Sequence, residues 1–313
     1  MRALLVVGSR HGGTREMAEW VARGLQGGGV EVDLHDADDA PTPEGYDLAV
    51  VGGAFIAIIL LAVIGAPLIT SYSPITIDMA QQLAKPSWQH LLGTDYFGRD
   101  VFTRILYGGR YTLAIGVGVV TIAFIVGVAF GIAAGFMGGI VDMVIMRFVD
   151  TMLSFPTLVL AIALAAAFGP SLGNAMLAVA ITLAPQFARV ARGQALAISV
   201  KPYVEAAICI GVSTPRILFQ YVLRNGIGPL LVQATLALGS AILQTASLGF
   251  LGLGAQPPLP EWGADVSANL QYVRASPWVA LSPGMAILLA VLSFNLIGDA
   301  LADWFNPRQR NER

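Results

Sequence analysis

Long stretches of this chain carry no ionisable side chain, and that restricts its fold more than any other feature. No charge interrupts the residues between Asp47 and Asp78 or those between Arg110 and Asp142, and Gly226–Gly254 is uncharged throughout. A helix crossing a bilayer needs roughly 20 apolar residues at about 1.5 Å of rise each, whereas buried helices of soluble proteins give apolar runs of about 10–14. Six segments read as spans: Val50–Ile69, Tyr111–Phe136, Val144–Phe168, Leu172–Val190, Gly226–Gly254 and Pro277–Ala300. The sequence therefore predicts an all-α integral membrane protein with about six transmembrane helices. Composition agrees: only 12% of the residues are charged, about half the share of a soluble domain. A net charge of −2 argues against nucleic acid as the main partner. The single cysteine, Cys209, excludes an internal disulfide. The first residues do not read as a signal peptide, so insertion is expected to rely on the internal apolar segments.

Charge also divides the chain. Residues 1–54 hold 4 basic and 9 acidic side chains, net −5, and residues 55–313 hold 14 and 11, net +3. A domain boundary is expected near Ala54. Lysine and arginine bias in short loops sets orientation. The loop after the fourth span carries Arg189, Arg192, Lys201, Arg216 and Arg224 against Glu205, and the tail carries Arg308, Arg310 and Arg313. These place that loop and both termini in the cytoplasm, against the competing pull of Lys85, Arg99, Arg104 and Arg110 and of the acidic N-terminus.

The loop after the fourth span, about residues 195–225, is too long for a simple turn. Gly211 and Pro215 divide it into two short helices, Lys201–Ile210 and Pro215–Leu223. Pro202 and Pro215 suit first-turn positions, which need no backbone N–H, and Gly211 suits a left-handed cap. Small residues at Ala206 and Ala207 let a partner's groove approach closely.

The stretch EAAICIGVSTPRILFQYVLRNGIGP resembles the loop motif of ABC importer permeases, with Glu205, Ala206, Ala207 and Gly211 at the matching positions. Leu223-Arg224-Asn225 stands where the family usually has Leu-Pro-Asn. Four further segments, His90–Leu113, Met146–Leu164, Ser247–Gly263 and Phe294–Pro307, resemble the dipeptide, oligopeptide and nickel permeases in order and spacing, most closely the C-type subunit. This implies a type I-like permease domain over residues 55–313. It implies a heterodimer with a homologous B-type permease, two ATPase subunits, an extracytoplasmic binding protein, and a peptide or nickel-type solute. Tyr203, Glu205, Ala206, Ala207, Gly211 and Pro215 are then the ATPase-coupling residues. No G-x-x-x-x-G-K-[ST] pattern occurs, so ATP and Mg are expected on the partner ATPases, and this chain is not itself expected to be an enzyme.

Gly93, Thr94, Asp95, Gly98, Arg99 and Asp100 fall in an extracytoplasmic segment ahead of the second span. The resemblance implies an outer gate; a surface helix anchoring that span explains Val101–Leu113 equally well. Arg147 and Asp150, three apart, share a helix face. With Asp142 they read as an interfacial ion-pair group rather than a solute contact. Asp299 and Asp303 read as interfacial, and Trp262, Trp278 and Trp304 as aromatic anchors. His90 has no second ligand at metal-binding spacing, so no metal is expected.

Residues 1–54 read differently: strands at Ala3–Val7, Val30–Asp36 and Leu48–Val51, and a helix at Arg15–Gln26. GSRHGGTREMAEWVARGL resembles the phosphate loop and first helix of flavodoxins, with Ser9, His11, Gly12, Gly13 and Thr14 at the FMN-phosphate positions. Such a fold needs about five parallel strands. Three imply a truncated, non-functional α/β segment, a fusion or gene rearrangement. The alternative function from this resemblance is a membrane-anchored FMN redox protein.

Overall fold

The computed structural model describes the backbone of residues 2–7, 31–36 and 45–305, with side chains for residues 51–303 and 305. The predicted helix Arg15–Gln26, the phosphate-loop residues Ser9 to Thr14 and the arginines of the C-terminal tail lie outside the described residues. The chain divides into two units, Met1–Asp47 and Leu48–Arg313.

In the first unit, β1 (Arg2–Val7) and β2 (Glu31–Asp36) pair in parallel, from Arg2 opposite Glu31 to Val7 opposite Asp36. A parallel pair needs a crossover connection of a dozen or more residues, and the intervening stretch supplies that length. The expected third strand, Leu48–Val51, is instead helical, lying within α1 (Gly45–Ile64). A short apolar run cannot be told from a helix segment by periodicity alone. This one continues unbroken into an apolar stretch, where a helix satisfies its own backbone polar groups without neighbours.

The second unit is helical. After α1 come a single turn at Ala66–Ile69, then α2 (Val101–Met137), α3 (Gly139–Leu153), α4 (Thr157–Phe168) and α5 (Leu172–Ser199). They are followed by α6 (Pro202–Cys209), α7 (Thr214–Phe250), α8 (Trp262–Asn269) and α9 (Pro277–Phe305). Among the described residues, four helices are long and apolar enough to cross a membrane: α2, α5, α7 and α9; α3 and α4 together make up to a fifth. Val51–Ile64, the part of α1 whose side chains are described, is a shorter apolar helix.

Several boundaries differ from expectation; the fourth span, for one, runs to Ser199 rather than Val190. The third span is not one rod: α3 and α4 meet at 93°. Pro156 lacks an N–H and disfavours helical geometry at the preceding residue, and it stands at the N-cap of α4. The second span begins ten residues early, because Val101–Leu113 is the first part of α2 and not a separate surface helix. The fifth also begins early. The expected loop helix Pro215–Leu223 runs into the span as a π-helical segment, Ile217–Leu223. Asn225 bonds back to the Tyr221 carbonyl (2.6 Å), and Gly226 costs a helix interior only about 1 kcal/mol, too little to end it. The loop between α5 and α7 therefore shortens to residues 200–213.

The core is built on small residues. Gly127, Gly131 and Gly135 recur every fourth residue on α2. A Cβ at each would lie 2.3 Å from the Ala184 carbonyl oxygen, 2.2 Å from that of Ala188 and 2.7 Å from the Ala195 Cβ. Close backbone approach of this kind gives membrane helices the dispersion contact that drives their association. Phe187 of α5, fully buried, meets Phe124 of α2 edge-on at 5.7 Å. Around this seam pack Val119, Leu183, Leu230 and Ala241.

Candidate functional site

The first candidate is the α5–α7 loop. Val204 and Ala207 are buried against the core, whereas Tyr203, Glu205, Ala206, Ile208 and Ile210 are exposed, Ile210 to 79%. One face of α6 is thus an anchor and the other an unpartnered surface. Pro202 occupies a first-turn position of α6, and Pro215 does so in α7. Gly211 has φ 79°; its N–H donates to Ile208 (3.0 Å) and that of Val212 to Ala207 (3.0 Å). This pair of bonds is a Schellman cap, which demands a left-handed residue. The rings of Tyr203 and Tyr221 stack at 6.5 Å, linking α6 to the π segment. Glu205, exposed, makes no ion pair among the described residues; its first-turn position on α6 suits a negative charge.

Two ion pairs tie α3 to α5 near this loop. Arg192 grips Asp142 through both carboxylate oxygens (2.5 and 2.6 Å), and Arg189 reaches Asp150 (2.7 Å). The expected grouping of Arg147 with Asp150 is corrected: Asp150 turns to α5. Spacing along one helix cannot reveal a partner on another. The Arg189–Asp150 pair is more than half exposed, which limits it to about 1 kcal/mol or less.

The second candidate gathers Gly93, Thr94, Asp95, Gly98, Arg99 and Asp100 at the N-terminus of α2. Asp95 accepts from the backbone N–H groups of Phe97 and Arg99 (both 2.9 Å) and from the Arg99 guanidinium (2.7 Å). Asp100 caps α2 through the Thr103 N–H and hydroxyl (both 2.7 Å) and meets His90 Nδ1 at 2.9 Å. Thr94 accepts from Ala84 N–H (2.8 Å) and donates to the Gln81 carbonyl. Gly98, at φ 71°, leaves no room for a side chain: a Cβ would lie 1.7 Å from the Asp78 oxygen.

Sequence reasoning missed the far side of this cluster. Arg104 of α2 pairs with Asp265 of α8 and donates to the Pro74 carbonyl (2.7 Å). Glu261, 1% exposed, caps α8 by accepting from Gly263 (3.0 Å) and Ala264 (2.8 Å), and Thr112 of α2 donates to it (3.2 Å). Burial raises the Glu261 carboxyl above its usual range. Burial also pushes Asp265 up to about 6, against the opposing pull of Arg104. Trp262 donates to the Ile105 carbonyl (2.9 Å) and lies over Gly108 and Gly109. It is buried in a helix junction, not exposed as a boundary anchor. The signal available was two acids four apart in an otherwise uncharged stretch. Among the described residues no group of three His, Cys, Asp or Glu could hold a metal.

Comparison with known proteins then gives these sites a context. Residues 127–311 match the family model described as the binding-protein-dependent transport system inner membrane component. Residues 47–86 match the N-terminal transmembrane domain of oligopeptide transport permease C. The chain is 46% identical over 264 residues to the dipeptide transport system permease protein DppC of Alkalihalophilus pseudofirmus, covering 84% of this chain and 87% of that one. It is 46% identical over 265 residues to the probable D,D-dipeptide transport system permease protein DdpC of Escherichia coli, covering 85% and 89%. A chain of the MetNI methionine ABC transporter shares the fold, at TM-score 0.52 and 19% identity, over 64% of this chain and 96% of that one. This multi-pass membrane chain belongs to the family of binding-protein-dependent transport system inner membrane components.

Proposed function

We propose that the chain is a permease subunit of an ATP-driven importer of short peptides. The relatives' names support the solute, and the family supports the role. The chain would form the translocation path with a homologous permease, receive solute from an extracytoplasmic binding protein, and dock two ATPase subunits that carry ATP and Mg. Six spans, counting α1 and the α3–α4 pair, would put both termini and α6 in the cytoplasm of a bacterial or archaeal cell. The carrying observation is α6 itself: a short helix held from behind by Val204 and Ala207, fixed by the Gly211 cap, and presenting exposed apolar side chains beside Glu205. A rigid lever with a gripped face can transmit an ATPase's closure to the spans. In this reading the cluster at Gly93–Asp100 acts in outer gating. Residues 1–54 would be a truncated flavodoxin-like segment without FMN, a reading supported by the helix at Leu48–Val51 where a third strand was needed.

The test is dipeptide uptake by the assembled complex carrying Glu205→Ala with Gly211→Pro. Uptake and uptake-coupled ATP hydrolysis should both fall at least tenfold while the chain remains inserted. Uptake equal to wild type would contradict the coupling role.

A further inference from the structure

α7 is packed on two sides and open on a third. Leu230, Ala237, Ala241 and Leu248 face the core shared with α2 and α5. Gly239 lies against Val291 and Asn295 of α9, and Leu236 lies against Gly298 of α9. Between these sides run Gln233, Ser240, Gln244 and Ser247, all within roughly 40° of one line along the helix at about 100° per residue. Ser240 is exposed and the other three are partly buried. The Gln244 carboxamide oxygen is enclosed yet has no hydrogen-bond partner. The Ser247 hydroxyl turns back to the Leu243 carbonyl (2.8 Å).

This face is the polar one of a membrane span. An amide facing hydrocarbon without a partner costs several kcal/mol, and polar residues in membrane helices tend to face a bundle interior or a solute pathway. The rest of the second unit covers the stripe only in part: Ser240 is exposed and Gln233, Gln244 and Ser247 keep part of their surface open. We propose that Gln233, Ser240, Gln244 and Ser247 form a solute-binding stripe on the translocation path, taking the main chain of a short peptide; this rests on the importer reading above. The chemistry selects that ligand class. A carboxamide offers one acceptor and two donors, the complement of a peptide amide. No charged residue lies between Arg224 and Glu261, so the stripe reads main chain rather than side-chain charge. A hard divalent cation would call for carboxylates.

The test uses the full complex in membrane vesicles, with Ser240→Cys, Gln244→Cys and, on the exposed apolar face of α9, Leu288→Cys. A charged, membrane-impermeant thiol reagent should modify positions 240 and 244 at least tenfold faster than 288, with mass mapping to separate them from Cys209. Saturating dipeptide should slow that modification at least fivefold. A rate no faster than at 288 means a lipid face or a covered permease–permease interface and overturns the proposal, and fast labelling without dipeptide protection overturns the peptide assignment. Gln244→Leu covers the case where a thiol variant fails to assemble: it should raise the KM for dipeptide uptake at least fivefold with ATPase content unchanged, and an unchanged KM overturns the proposal. Uptake by the unsubstituted complex in the same vesicles separates the two levels. Uptake without labelling sinks the stripe alone, whereas absent uptake sinks the importer reading and the stripe with it.

Discussion

The α6 loop and the cluster at the start of α2 differ in almost every physical respect. The loop is exposed, and among the described residues Glu205 has no ionic partner. The cluster buries Asp95, Arg99, Asp100, Arg104, Glu261 and Asp265, each held by a named partner. An exposed apolar surface costs little until a partner covers it, and its energy is then released in docking. A buried charge must be matched within the chain, because removing one partner strands the other. A change at the loop can therefore be made without unfolding the chain, whereas the cluster also braces α2 against α8.

The contrast can be broken at its strongest point first. Arg104→Ala leaves Asp265, whose second oxygen already lacks a partner, buried without its cation. We expect a loss of about 3–5 kcal/mol, read as a lower thermal midpoint in detergent. A loss below about 1 kcal/mol, the size of a surface pair, would show that the cluster is not a brace.

Next comes pH. The folded carboxyl of Asp265 titrates near 6, above its ordinary 3.8. The folded state therefore holds the proton more tightly than the unfolded chain does. The stabilisation is full below about pH 4 and is lost as pH rises through about 6, by at most about 3 kcal/mol at 1.4 kcal/mol per pH unit. Asp265→Asn should flatten the stability profile between pH 4 and 7.

Gly109→Ala sharpens the comparison from the packing side. Its Cβ would meet Val63 at 2.5 Å and Trp262 at 2.9 Å, and overpacking of that kind costs about 1–3 kcal/mol. At Gly211 an added Cβ meets nothing within 4 Å, so Gly211→Ala pays only left-handed backbone strain, about 1–2 kcal/mol. Glu205→Ala should be smallest in stability, within about 0.5 kcal/mol as for most surface changes, while dipeptide uptake falls several-fold. All three are read from thermal midpoints measured alongside uptake.

Most of the helical layout is legible in the sequence, because a charge-free run of spanning length has few other destinations. The Gly211 cap and the first-turn prolines are legible for the same local reason: each is a property of one turn. What eludes the sequence is tertiary. Asp142 and Asp150 find arginines on α5, His90 finds Asp100, and Arg104 finds Asp265 from 161 residues away. No periodicity carries those distances. The break at Pro156 was available from its missing N–H, but continuous hydropathy across it masked the bend. The apolar run of Leu48–Val51 suited either a strand or a helix until its continuation into α1 decided it.

Cys209 lies exposed on α6, in the loop whose coupling role is the central claim. A short thiol-directed photo-crosslinker at Cys209, in the complex as assembled in the membrane, tests that claim most directly. The product is expected to contain an ATPase subunit, with a yield that changes when ATP is bound. A product formed only with the partner permease or the extracytoplasmic binding protein would mean that α6 is not what the motor grips.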